Sequence, residues 1–201
     1  MISYLIELDR VLFILINQLL ANPVTDVVMP FITSDNVLRI VYILILVSML
    51  IFGDRRIRWL VLFSGLAMLL TDQVAAGFLK PLIARPRPCQ VFTDIHLLVS
   101  CGAGFSMPSA HAANTFGQAA LLSRHIKHSG LLLYLFAILV SLSRVFVGVH
   151  YPGDIVVGAI IGVVIGVFVS GLFRVFSVRI LKRRKVPPEP ENEKPVGQSQ
   201  E

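Results

Sequence analysis

Residues 143–154 read S-R-V-F-V-G-V-H-Y-P-G-D and set an arginine, a histidine and an aspartate between two long apolar segments. Ionisable side chains at membrane depth are costly, so they are kept where they line a cavity or take part in chemistry. His150 is separated from Asp154 by a Tyr-Pro-Gly turn, which lets the carboxylate hold one ring N–H while the other nitrogen faces a reactant. Arg144 is placed to hold an anion in front of that nitrogen. Working outward, two earlier stretches carry side chains of the same kind: K-P-L-I-A-R-P-R-P at 80–88 and P-S-A-H at 108–111.

The apolar segments around these stretches decide the class. The chain has 201 residues, is 55% hydrophobic and only 15% charged, and has a mean hydropathy of +0.78. That is the composition of one integral membrane domain. Its net charge of +6 does not point to nucleic acid, because the basic residues sit in short loops and a tail beside apolar runs, where topology signals lie. Glu7 and Asp9 precede Arg10, and the following apolar run at 11–16 is short. The N-terminus is therefore expected to stay on the mature chain.

Residues 1–20 alternate apolar stretches with Glu7, Asp9, Arg10, Asn17 and Gln18, giving an amphipathic helix that either lies in the interface or spans against other helices. Asn22-Pro23 breaks it, and residues 33–36 supply turn and N-cap chemistry for the next. Further helices are predicted at about 37–52, 57–79, 109–123, 130–149 and 154–176, with Trp59 at a boundary and Thr71, Asp72 and Gln73 marking a polar cavity in the outer half of the third. Gly158, Gly162 and Gly166 recur every four residues and put a smooth face on the last helix, for close packing inside the bundle or for a dimer seam. The expected architecture is all-α, a polytopic bundle of five or six spanning helices with an amphipathic N-terminal helix. It forms one domain over 1–181, followed by a disordered cytoplasmic tail at 182–201, where Pro, Glu, Gln and Ser take over.

Arg55, Arg56, Arg58, Arg124, Lys127 and the run from Arg174 to Lys185 fall on one side if each segment from the second to the sixth spans once. The positive-inside tendency makes that side cytoplasmic, in a bacterial inner membrane, and puts the three polar stretches on the outer face. Lys80, Arg85, Arg87 and Arg144 violate the tendency there, so another function keeps them. Cys89 and Cys101 lie in the same outer loop; they either form a bridge, as an oxidising envelope permits, or remain two buried free thiols.

These side chains are what phosphoryl transfer needs, since that chemistry rests on positioning and charge stabilisation. Lys80, Arg87 and Arg144 can clasp nonbridging oxygens. Ser109 can donate its hydroxyl, and the amides of Ala110 and His111 open a helix whose positive end favours an anion. His150 can attack phosphorus, and His111 can protonate the leaving oxygen and later deprotonate water. Asp72 reads as a hydrogen-bond partner or cavity liner, Arg85 as a substrate-side or solvated charge, and His96, His125 and His128 as loop residues. A metal or haem site is disfavoured, because cations rather than carboxylates ring the histidines.

Lys80 with Arg87-Pro88 after six residues, then Pro108-Ser109-Ala110-His111, then Ser143-Arg144 with His150 and Asp154, resemble the three-part signature of the type 2 phosphatidic acid phosphatase (PAP2) family. Its soluble relatives are the vanadium haloperoxidases and acid phosphatases. The resemblance covers about 37–176. It implies a helical bundle and metal-independent hydrolysis of a membrane lipid phosphate through phosphohistidine, with no cofactor. Undecaprenyl diphosphate is favoured over phosphatidic acid, phosphatidylglycerol phosphate and lipid A 1-phosphate. Ala110 departs from the family's usual glycine and adds a methyl beside the phosphate, which is tolerable unless the position needs a positive φ. A lipid phosphotransferase would use the same residues, whereas a catalytically dead lipid-phosphate binding protein would need neither His150 nor Asp154.

Overall fold

The computed structural model describes residues 2–182. All regular elements among them are helical: α1 (Ile2–Ile14), α2 (Pro23–Thr33), α3 (Asp35–Phe52), α4 (Arg55–Asp72), α5 (Ala110–Leu122), α6 (Gly130–Phe146) and α7 (Pro152–Lys182), with short helical turns between some of them. The predicted tail lies outside the described residues, apart from Lys182, which closes α7.

Helices α3 to α7 form the bundle, and their exposed faces carry large hydrophobes such as Leu44, Leu131, Val164 and Phe168. A coat of this kind is stable only against lipid. The protein is an integral membrane protein, and α3, α4 and α7 are each long and apolar enough to cross a bilayer. Inside the bundle, α5 and α7 pack most closely, because Gly158, Gly162 and Gly166 bring the α7 backbone against Ser109, Ala113 and Gly117 of α5. The four-residue glycine stripe is thus an internal packing face rather than a dimer seam. Buried hydroxyls and amides near it are paired: Ser64 Oγ donates to Gln118 Oε1 at 2.6 Å and Thr71 Oγ1 to Asn114 Oδ1 at 2.6 Å.

The basic residues at the start of α4 and the end of α5 meet at one end of the bundle, where an Arg56 guanidinium nitrogen lies 3.1 Å from His125 Nδ1. The three polar stretches of the sequence gather at the other end. Helices α1 and α2 lie across that second end, meeting at a bend of 115°. Both fasten to it: Asn17, fully buried at the end of the first helical segment, donates to the carbonyls of His96 and Phe146, each at 2.8 Å. From α2, Asp26 pairs with His96 at 2.8 Å. Residues 2–20 are thereby fastened to the site-bearing end.

Residues 23–33 are given no element by local sequence signals, yet they form α2. Pro23 ends one helix and starts the next, for its fixed φ and missing N–H suit a first helical position. Asn22 caps that start, its side chain accepting from Val24 and Thr25 N–H.

The packing face makes a specific prediction. A Cβ at Gly162 would lie 2.9 Å from Gly117 N and 3.0 Å from Ala113 C, whereas one at Gly171 would meet nothing within 4 Å. Gly162→Ala should lose about 1–3 kcal/mol of stability through overpacking, and Gly171→Ala should be neutral or gain up to ~1 kcal/mol from helix propensity. Thermal melts of the two variants in the same detergent check this.

Candidate active site

The site is built around a buried carboxylate. Asp154, in the first turn of α7, is fully buried and accepts from donors on several segments. Ser106 Oγ and the Tyr151 N–H, at 2.8 Å, reach Oδ2, and Arg85 Nη1 reaches Oδ1 at 2.8 Å. His150 Nδ1 lies 3.4 Å from Oδ2 and the same distance from Ser106 Oγ. With Nδ1 turned toward the carboxylate, Nε2 is the nitrogen left for a reactant. The local chain makes this possible: α6 ends at Phe146, Gly148 turns with φ +85°, and Pro152 restarts the helix two residues beyond His150. Burial pushes His150 down to about 4, against the upward pull of Asp154 and with help from Arg144 and Arg87. The ring is therefore neutral at ordinary pH.

Arg144, at the end of α6, donates Nη1–H to Thr33 Oγ1 at 2.7 Å, while its Nε is buried with no hydrogen-bond partner among the described residues. Arg87, almost fully buried, turns its Nε–H toward the Gly104 carbonyl at 3.4 Å. Lys80 follows the π-helical turn that extends α4 and lies within electrostatic reach of Arg87, Arg144 and Asp154. Three cations thus face one space.

Ser109 caps α5, its hydroxyl accepting the Ala112 N–H at 3.4 Å, and its own N–H donates to the Asp154 carbonyl at 3.0 Å. Ala110 opens α5 and is not among the residues with positive φ, which outside glycine are Ala84 and His128 among those described. Alanine there carries no backbone penalty. His111 lies within electrostatic reach of Arg144 and His150, with its Nε2 3.0 Å from Asp35 Oδ1 at the start of α3. All eight residues singled out from the sequence come to this end of the bundle.

Four others were not foreseen as partners. Ser106 sits in an irregular loop and bears no local signal. Asp35 reads from sequence as a helix-start residue, which it also is. Asp9 reads as part of an amphipathic face, yet it accepts from Arg85 Nη2 at 2.7 Å and from the Gly153 N–H at 2.7 Å. Arg85 itself requires a correction. It is neither solvated nor turned to substrate, because it bridges Asp9 and Asp154 and lies 3.9 Å from the centroid of the Tyr151 ring. His96, His125 and His128 are loop residues, as expected.

Cys89 and Cys101 are bridged, with Cα atoms 5.9 Å apart. The bridge closes the loop between the turn holding Arg87 and the segment leading to Ser109, worth about 3 kcal/mol in the chain-entropy model. Beside His111 a cavity of about 410 Å³ runs down α5, polar at Asp35, Arg39, Asp72 and Asn114 and apolar at Leu38, Leu122, Leu133 and Phe136. Asp72 is a cavity liner, as expected.

Cations that outnumber the carboxylate among them, beside a neutral imidazole, are suited to a phosphate-like anion, and in a membrane bundle that combination defines an integral-membrane phosphatase. The chain belongs to the PAP2 superfamily, which it matches over residues 60–176, and it is a hydrolase of phosphoric ester or anhydride bonds. It is 33% identical to the lipid A 4'-phosphatase of Bacteroides thetaiotaomicron over 81% of this chain and 75% of that one. It is 31% identical to the undecaprenyl-diphosphatase BcrC of Bacillus subtilis over 83% of this chain and 90% of that one. Among solved structures it resembles LpxE of Aquifex aeolicus, with a TM-score of 0.64 and 32% identity over 81% of this chain and 94% of the other. It also resembles a transmembrane PAP2-type phosphatidylglycerolphosphate phosphatase of Bacillus subtilis, with a TM-score of 0.64 and 25% identity over 88% of each chain.

The depressed His150 value predicts that its ring stays neutral as pH falls through 6.5 and is protonated only near 4. In a ¹⁵N-histidine titration of the micellar protein, with His150→Gln assigning the signal, the His150 resonance should be that of neutral imidazole at pH 5.5. An ordinary histidine would be largely protonated there.

Proposed function

We propose that this membrane lipid phosphatase works through a phosphohistidine on His150 and that its preferred substrate is undecaprenyl diphosphate, presented from the outer leaflet of a bacterial inner membrane. The observation that carries the mechanism is the neutral, buried His150 with Nδ1 at Asp154 and three cations around its free side. Lys80, Arg87 and Arg144 hold the nonbridging oxygens, joined by the Ser109 hydroxyl and the amides of Ala110 and His111. The orphaned Nε–H of Arg144 is a donor waiting for such an oxygen, since a buried unpaired donor is otherwise costly.

His150 Nε2 attacks phosphorus in line; the N–P bond forms as the P–O bond to the leaving group breaks, and His111, whose imidazolium burial and Arg144 disfavour until the phosphate anion lies beside it, gives its proton to the departing oxygen. Asp35 holds the His111 ring from the far side. Water then attacks the phosphohistidine, passing a proton to His111, and inorganic phosphate leaves as the N–P bond breaks. Charge stabilisation comes from fixed donors rather than a metal, since a ring of cations disfavours a divalent ion. Placing the basic end of the bundle in the cytoplasm puts this site at the outer face.

Two features support the substrate. BcrC aligns over most of both chains, and the cavity beside His111 follows one face of α5 from the polar Asp35, Asp72 and Asn114 to the apolar Leu122, Leu133 and Phe136, which suits a single tail. A lipid A phosphate is the second reading, favoured by the relatives from Bacteroides thetaiotaomicron and Aquifex aeolicus.

His150→Ala should abolish phosphate release while substrate still binds; residual activity within tenfold of the parent would sink the nucleophile assignment. The parent should turn over in chelator and be inhibited by vanadate, which mimics five-coordinate phosphorus. Phosphate release across undecaprenyl diphosphate, phosphatidic acid, phosphatidylglycerol phosphate and a lipid A phosphate should give the highest kcat/KM for the first. A higher value for another lipid would replace the substrate and leave the mechanism standing.

A further inference from the structure

We infer that Arg85 and Asp9 are positioning residues for the reaction, forming a chain Asp9–Arg85–Asp154–His150 through which the N-terminal helix sets the orientation and basicity of the nucleophile. This rests on the reading of His150 as nucleophile. The guanidinium of Arg85 is mostly buried and divides its two terminal nitrogens between carboxylates, Nη1 to Asp154 at 2.8 Å and Nη2 to Asp9 at 2.7 Å. Asp9 in turn accepts the Gly153 N–H at 2.7 Å, inside the turn that separates His150 from Asp154. The ring of Tyr151, 3.9 Å from the guanidinium carbon, closes one side of the arginine.

The division of Asp154 between its two oxygens is what gives Arg85 its effect. Oδ1 is taken by Arg85, so Oδ2 is left to Ser106, the Tyr151 N–H and His150. Arg85 fixes the plane of the carboxylate and balances its charge. Without that balance, Asp154 would stabilise the imidazolium of His150 more strongly and make the neutral nucleophile scarcer. Helix α1 is thereby part of the catalytic apparatus, since Asp9 keeps the arginine from swinging fully onto Asp154. Around His150 the other groups are Arg144 from α6, Arg87 and Lys80 from the turns after α4, His111 from α5 and Ser106 from the preceding loop. Arg85 differs from these cations in touching the carboxylate directly.

The test is a double-mutant cycle on the full chain, with kcat, KM and the pH profile of kcat/KM measured for Arg85→Gln, Asp9→Asn and the double variant. The substrate's own ionisation is subtracted, and the fraction of monodisperse protein in detergent is recorded. Arg85→Gln should lower kcat at least tenfold with KM within threefold, and should move the acid limb upward on the order of one pH unit. Asp9→Asn leaves Arg85 facing Asp154, so it should lower kcat less and should not raise the acid limb. The double variant should be no worse than Arg85→Gln alone, because Asp9 acts through Arg85. An unmoved acid limb in folded Arg85→Gln, or additive losses in the cycle, would overturn the inference. If Arg85→Gln yields no folded protein, Arg85→Lys decides: a lysine reaches one carboxylate at a time, so kcat must fall at least threefold with KM unchanged, and an unchanged kcat would overturn it. His150→Ala run alongside separates the two levels, since activity in that variant defeats the nucleophile reading itself.

Discussion

The buried carboxylate of Asp154 is the constraint on which the site depends. A carboxylate taken out of water is tolerable only if its oxygens are met by donors, and removing one donor leaves an uncompensated charge. Here the donors come from the arginine before the Arg87 turn, from the loop ahead of Ser109 and from the turn carrying His150. The backbone carbonyl of the same residue accepts the N–H of Ser109. One charge thus holds together three stretches that lie far apart in the chain, and the geometry offered to a phosphate follows from satisfying it.

The second constraint runs the other way. Lys80, Arg87 and Arg144 repel one another at the head of an apolar bundle, and the nearby carboxylate is already occupied by Arg85 and its other partners. The bundle holds this arrangement through packing remote from it: the glycine face of α7 on α5 and the paired hydroxyls and amides between α4 and α5. Interhelical contacts between small residues and satisfied polar groups are the means by which helices associate where the hydrophobic effect between them is weak. That packing concentrates in the core and the unbalanced charge collects at one end, where an anion can meet it.

The helical class, the gathering of Lys80, Arg87, Ser109, Ala110, His111, Arg144, His150 and Asp154, and the inward face of the glycine stripe were legible in the sequence, because each depends on spacing or on charge in an apolar setting. Helix α2 was not, since Pro23 signals a stop in the local sequence while its position also makes it a start. The roles of Asp9, Asp35 and Ser106 depend on contacts from remote parts of the chain, and no local period reports them. The role of Arg85 is hidden for the same reason. Two residues from Arg87 in an exposed-looking R-P-R-P turn, it shares the composition of an anion-binding residue, and only the arrival of α1 and α7 on the same spot reveals two carboxylates waiting for it.

The site-bearing end differs physically from the bundle it caps. Apart from α1 and α2, its elements are short: two π turns, two four-residue helical turns and long irregular loops, none of which is stable alone. They are held instead by particular ties, which are Asn17 to the His96 and Phe146 carbonyls, Asp9 to the turn at Gly153, and the Cys89–Cys101 bridge across the loop. Each tie fixes backbone next to a residue facing the anion space. A phosphoryl-transfer site gains from rigid donors, because dipoles and charges already in place need no reorganisation when charge moves in the transition state. The amphipathic N-terminal helix, which could otherwise be taken for a membrane anchor, is accordingly better understood as a splint on the site: its apolar surface meets lipid, while Asp9, Phe13 and Asn17 on its buried side hold the catalytic end in shape.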